Sequence, residues 1–217
     1  MAEVTVERTF PHYALPRLWG WTVESRRQST DDFSSRTLEE FIREWDAAER
    51  VGRSSWGVWR DGELGGVVMS RRINPVCADA HCVFKRSFWG HKTTVEALRL
   101  VFDEIFVGET RKITAWAYHD NHALLGLARK LGFQKEGVLR QQTRRDGEMV
   151  DVVLIGLTKE GFGQVFSDQV PTGARSPQVT PAEIPVTTSL GASQPVHANI
   201  ERIGPTRLQL IRPPECG

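Results

Sequence analysis

The run NHALLGLARKLGF at residues 121–133 decides the fold. Leu124, Leu127, Ala128 and Leu131 recur at three- and four-residue steps, which sets them along one face of a helix over residues 123–131. Gly132 and Phe133 then lead into a strand. Upstream, residues 111–118 alternate Ile113, Ala115 and Ala117 with Thr114, Trp116 and Tyr118, the period-2 signature of a strand. Downstream, residues 133–143 and 149–158 flank Asp146-Gly147 and form a hairpin.

The same reading extends to the N-terminus. Residues 92–106 form a helix with one stripe of Val95, Leu98, Phe102 and Ile105, preceded by a strand over 77–84. Residues 55–60 and 64–71 are a hairpin around Asp61-Gly62. Residues 37–50 are a helix carrying Leu38, Phe41, Ile42 and Trp45, capped by Ser35 or Thr37. A short helix within 11–21 and a strand over 3–9 complete the series. Hairpins at both ends flank a strand-helix-strand unit, so the expected fold is an α/β mixed, mostly antiparallel sheet with helices on its faces.

Composition sets the outer limits. With 217 residues, 40% hydrophobic and 25% charged, the chain holds one ordinary globular domain plus extra segments. A net charge of +1 argues against a dedicated nucleic-acid binder. Cys77, Cys82 and Cys216 have no paired spacing, which points to a reducing compartment. Neither a signal peptide nor a run near the ~18 apolar residues of a membrane span is visible. A soluble cytoplasmic protein without a membrane partner is therefore expected. Eight of the eleven prolines lie between Pro171 and Pro214, whereas all seven tryptophans lie at or before Trp116. This divides the chain into a folded domain, 1–160, and a disordered Pro-rich extension, 161–217, in which an apolar piece at 200–211 is suited to docking as a strand.

Residues 86–93, RSFWGHKT, join a strand to a helix. The unpaired N–H groups and the dipole of a helix start favour an anion. Gly90 permits close approach, and Arg86 or Lys92 adds charge. Alone, one glycine fits an ordinary loop equally well.

In context, the chain resembles the GNAT superfamily of N-acetyltransferases, and within it the Rim type that acetylates ribosomal-protein N-termini. Three ordered segments carry the resemblance. Ser87-Phe88-Trp89-Gly90-His91-Lys92, continued by Glu96-Ala97, is similar to the family's pyrophosphate loop, though Ser87 stands where Gln or Arg is usual and Lys92 replaces a glycine. Asn121, the helix, Leu131-Gly132-Phe133 and Glu136-Gly137 form the second segment. Arg145-Asp146-Gly147 through Asp151 and a last strand ending Leu157-Thr158 form the third. The resemblance spans residues 3–160 and is strongest over 86–158. It implies acetyl-CoA as acyl donor and a primary amine as acceptor, on a protein N-terminus or a small molecule. It assigns cofactor contacts to Val83, Phe84, Arg86, Trp89, Gly90, His91, Lys92, Thr93 and Asn121.

The reaction needs a base for the amine and a proton for the leaving thiolate. His81 and Asp79 share one face of a strand, and a histidine titrates near neutrality. Asp151 matches an acid of the family. The family's usual acids, a serine and a tyrosine, fall at Leu124 and Ala128, so Tyr118 on the neighbouring strand is the substitute. No metal site is expected: His119 and His122 have no third ligand nearby. A GNAT-fold accessory module with little catalysis is the alternative.

Overall fold

The computed structural model describes residues 3–89 and 91–167. Seven strands form one sheet: β1 (Val4–Arg8), β2 (Ser54–Arg60), β3 (Glu63–Asn74), β4 (Cys77–Phe84), β5 (Lys112–Tyr118), β6 (Gln134–Arg145) and β7 (Glu148–Thr158). Their order is β1-β2-β3-β4-β5-β7-β6. Every neighbouring pair is antiparallel except β4 and β5. Among the described residues six α-helices accompany them: α1 (Leu15–Glu24), α2 (Arg26–Ser29), α3 (Leu38–Arg50), α4 (His91–Ile105), α5 (His122–Lys130) and α6 (Lys159–Ser167).

Local chemistry explains the boundaries. Thr37 and Glu40 form a capping box at the start of α3. Asp61-Gly62 and Asp146-Gly147 take positive φ at both turn positions, the hairpin geometry that their sequences call for. Gly132 ends α5 at φ +91: its N–H bonds to Arg129 O and that of Phe133 to Ala128 O, which is the Schellman closure. Phe133 is thereby turned into the core, where its ring meets Phe102.

Side-chain alternation splits the core into two layers. On one sheet face Val58, Val68, Ala80, Ile113 and Ile155 pack under α4, α5 and α6. On the other, Leu64 and Val67, with Met69 and Val83 at the edge, pack under α1 and α3 around Leu15, Leu18 and Trp45. Helix α6 carries the fold past the expected boundary at residue 160. Phe162 and Phe166 extend the aromatic stack of Phe102 and Phe106, a pattern too short to show as periodicity in the sequence. The expected extension beyond that helix, including 200–211, lies outside the described residues.

Candidate active site

The site begins where β4 and β5 part. They pair only at Cys77–Lys112, Ala78–Ile113 and Asp79–Thr114. Beyond this, β4 stays bonded to β3 as far as Phe84–Gly66, and β5 to β7 as far as Tyr118–Val152. Each strand keeps its outer partner and the inner edges diverge. Lys85 N–H donates to Gly65 O (2.9 Å), so by ladder alternation the odd-numbered residues of β4 turn their main-chain groups to β3. The even-numbered ones, Cys82 and Phe84, face the gap. This corrects the assignment of Val83, whose groups are taken up by β3. Phe84 keeps its N–H for the gap, but its carbonyl already accepts the Trp89 indole N–H at 2.9 Å.

On the α4 side, the gap opens into a narrow cleft of about 40 Å³ lined by Ala80, Cys82, Leu98, Leu124, Leu127 and Ala128, among others. Burial pushes the Cys82 thiol up to about 12, so it stays neutral and is no nucleophile. Leu124 and Ala128 are cleft wall, as their apolar stripe implies. After β4, a 3-10 turn (Arg86–Phe88) leads into α4. Phe88 is 0% exposed and pins this turn to the sheet. Its ring lies between the Arg60 guanidinium (4.3 Å) and Lys85 Nζ (4.8 Å), Arg60 donates to Ser87 O (3.2 Å), and Lys85 pairs with Glu63. Arg86, Trp89 and Lys92 are exposed here and Thr93 is half-buried. Gly90 and the His91 side chain lie outside the described residues.

The opposite face of the gap carries polar and aromatic groups. His81 is half-buried, its ring meeting Trp116 edge-on at 5.6 Å. Burial, opposed by Asp79 and reinforced by Arg71 and Arg53, holds its pKa below the ordinary imidazole value, so it is neutral at pH 7. Asp79 does share its face but is engaged elsewhere: its carboxylate accepts Arg71 N (2.7 Å) and Arg71 Nη2 (3.4 Å). It reaches His81 through its field alone.

Three other expected residues have different employment. Asp151 accepts the N–H of Gln141 (2.8 Å) on Oδ1, and Gln141 sits at φ +49 in the β6 bulge, so this carboxylate fixes backbone. Asn121 is 8% exposed and both ends of its amide are used: Oδ1 caps α5 at Leu124 N (3.1 Å) and Nδ2 donates to Gln28 O (3.3 Å). It anchors a loop, which spends its oxygen and one of its two amide hydrogens on the scaffold. Tyr118 is buried beneath Arg145 (4.7 Å from guanidinium to ring centre), and burial together with Asp31 raises its phenol to about 12. Giving that proton to a thiolate of ordinary pKa near ~8.5 is uphill by roughly 5 kcal/mol.

A clasp roofs Tyr118. Asp32 accepts from Arg144 Nε and from the N–H groups of Asp146 and Gly147, Asp31 accepts from Thr143 at 2.6 Å, and Arg145 bonds to Asp120 (2.6 Å) and Arg27 O (2.8 Å). Sequence reading missed the clasp and passed over Trp116, although a tryptophan between two alanines on a strand was a usable signal.

A GNAT acetyltransferase domain model matches residues 5–134. The chain belongs to the GNAT acetyltransferase family. Uncharacterized N-acetyltransferase p20 of Bacillus licheniformis is 26% identical over 136 residues, which is 61% of this chain and 76% of that protein. The ribosomal-protein-alanine N-acetyltransferase of Brucella melitensis superposes with a TM-score of 0.60 at 16% identity, covering 71% of this chain and 99% of that one. A spermidine N-acetyltransferase chimera from Vibrio cholerae gives 0.64 at 16% identity, covering 73% and 97%. At such identities the likeness is one of fold. The protein is thus a GNAT acetyltransferase, and this family transfers acetyl groups from acetyl-CoA to amines. Among the described residues no helix is long and apolar enough to cross a membrane.

Proposed function

We propose that this acetyltransferase modifies a primary amine with acetyl-CoA as donor, at the gap between β4 and β5, with His81 as general base. The observation that carries this is the juxtaposition at one gap of unpaired main-chain groups, an apolar cleft and a neutral imidazole. The residues fit the donor: Cys82 and Phe84 offer main-chain donors, Leu98 and Leu124 line the adjoining cleft, and the first turn of α4 with Lys92, Thr93 and Arg86 suits a pyrophosphate. Bound there, acetyl-CoA supplies the thioester. Among the described residues none hydrogen-bonds the His81 ring, so it is free to take the amine's proton, directly or through one water. A Rim-type acceptor, a protein N-terminus, and a small-molecule amine both fit an open gap, and a cytoplasmic location follows from the sparse cysteines.

A second reading, an acyl-CoA-binding accessory module, draws on Leu124 and Ala128, where the family's usual acids would stand. Thiol release from acetyl-CoA in the presence of a panel of peptides and alkylamines separates the two. The enzyme reading expects release that depends on amine and falls sharply in His81→Gln. A rise in melting temperature with acetyl-CoA, but no thiol release from any amine, would leave only the module.

A further inference from the structure

We propose that Trp116 is the specificity-determining platform of the acceptor site, and that it selects aliphatic amines arriving as a bare ammonium over amines that carry a carboxylate beside it. This rests on the reading of the gap as the active site and names its substrate class.

Trp116 lies on β5 two residues past Thr114, the last residue paired with β4, so its backbone borders the gap. Alternation sends it to the face of His81, opposite to Ala115 and Ala117. It is 40% exposed, although it lies mid-strand in the sheet. Other tryptophans are employed within the fold: Trp45 is buried under the Arg53 guanidinium (4.1 Å), Trp56 donates to Glu104 (2.7 Å) and Trp89 to Phe84 O. The indole N–H of Trp116 has no acceptor among the described residues, and its ring is flanked by His81 at 5.6 Å and Tyr118 at 5.7 Å.

Charge then decides what such a ring would attract. Of the carboxylates on this face, Asp79 pairs with Arg71 and Asp120 with Arg145, while Asp31 is held by the neutral Thr143 hydroxyl close to Tyr118. Beside His81 the field of Asp79 is opposed by those of Arg71 and Arg53, and the negative face of the indole adds a local attraction for an ammonium. The ammonium gives one proton to solvent to become the nucleophile, and His81 beside the same ring takes the second as the amide bond forms and the thiolate leaves. A carboxylate next to the amine would meet that negative face and gain nothing from it.

The experiment measures kcat and KM of the full chain for n-butylamine, n-hexylamine, glycine and β-alanine at saturating acetyl-CoA, in the wild type, Trp116→Phe and Trp116→Leu. The expected KM for the alkylamines rises about two- to threefold in Trp116→Phe and about tenfold in Trp116→Leu, the range of one cation–π contact. The kcat is expected to stay within about twofold, and the acetyl-CoA-induced melting shift to be unchanged. Glycine and β-alanine are expected to be poor in all three. An alkylamine KM indifferent to Trp116→Leu, or glycine turned over as well as butylamine, overturns the platform and leaves the active-site reading intact. Absence of turnover with every amine in the wild type overturns both. A loss of melting temperature in Trp116→Leu without acetyl-CoA shows a structural role and also overturns it.

Discussion

Replacing Gly65 by alanine tests how the turn before α4 is held. A Cβ at this position would lie 2.3 Å from two carbons of the Phe88 ring and 2.5 Å from a third, where ordinary contacts begin at 3.4 Å. The ring must retreat by 3.4 − 2.3, or 1.1 Å. It has no free space to do so, being 0% exposed and flanked by Arg60 and Lys85. Overpacking of this kind costs about 1–3 kcal/mol. For a domain of this size that lowers the melting temperature by roughly 2–4 °C per kcal/mol. Urea titration of Gly65→Ala, Phe88→Ala and the double variant reads the effect. Phe88→Ala alone should cost about 3–5 kcal/mol through the cavity it leaves. The double variant should cost at least about 0.5 kcal/mol less than the sum, because the new methyl enters that cavity. Because Phe88 seats the turn that opens α4, Gly65→Ala should also weaken acetyl-CoA binding. A Gly65→Ala variant within about 0.5 kcal/mol of wild type, or strictly additive costs, would refute the reasoning.

Three further outcomes follow from single residues. His81→Gln should lower kcat/KM by about 10²- to 10⁴-fold in a thiol-release assay. Because the folded-state pKa of His81 lies below its unfolded value of about 6.5, the unfolded chain binds the extra proton first. Stability should therefore fall as pH drops below that value toward the folded one, and pH-dependent melting should show a shallower fall in His81→Gln. Asn121→Ala should destabilise by about 1 kcal/mol through the lost cap, with acetyl-CoA affinity unchanged in a calorimetric titration; a large loss of affinity would restore Asn121 to the cofactor site. The Gly147 N–H bond, then those of Asp146 and Arg144, hold the Asp32 carboxyl below its ordinary value, so the clasp is closed above about pH 4 and loosens as pH falls through the folded pKa. In Asp32→Ala, the protection factors of the Asp146 and Gly147 amides should fall at neutral pH to the values that the wild type reaches only in acid.

Much of this architecture is written locally. Leu131-Gly132-Phe133 encodes a Schellman closure, Asp61-Gly62 and Asp146-Gly147 encode their hairpins, and the alternation around Trp116 encodes β5, because each is fixed by residues a few positions apart. The site is less legible because it depends on pairs remote in sequence. Whether Val83 or Cys82 faces the gap is set by the partner of Lys85, twenty residues away at Gly65. Asp31 and Asp32 meet Thr143 and Arg144 across 112 positions, and nothing local marks either pair. Asp151 and Asn121 show the converse limit: a residue of suitable type at the family's position was read as chemistry, while its bonds to Gln141 and Gln28 give it to the scaffold.

Acetyl-CoA is proposed to lie in the gap between β4 and β5. Amide hydrogen exchange of the full chain with and without saturating acetyl-CoA measures this at single residues. Cys82 and Phe84, whose N–H groups face the gap, should become strongly protected with the donor, together with the first turn of α4, while Val83, already bonded to β3, changes little. Saturable binding that leaves Cys82 and Phe84 exchanging at their free rate would place the donor elsewhere and contradict the account.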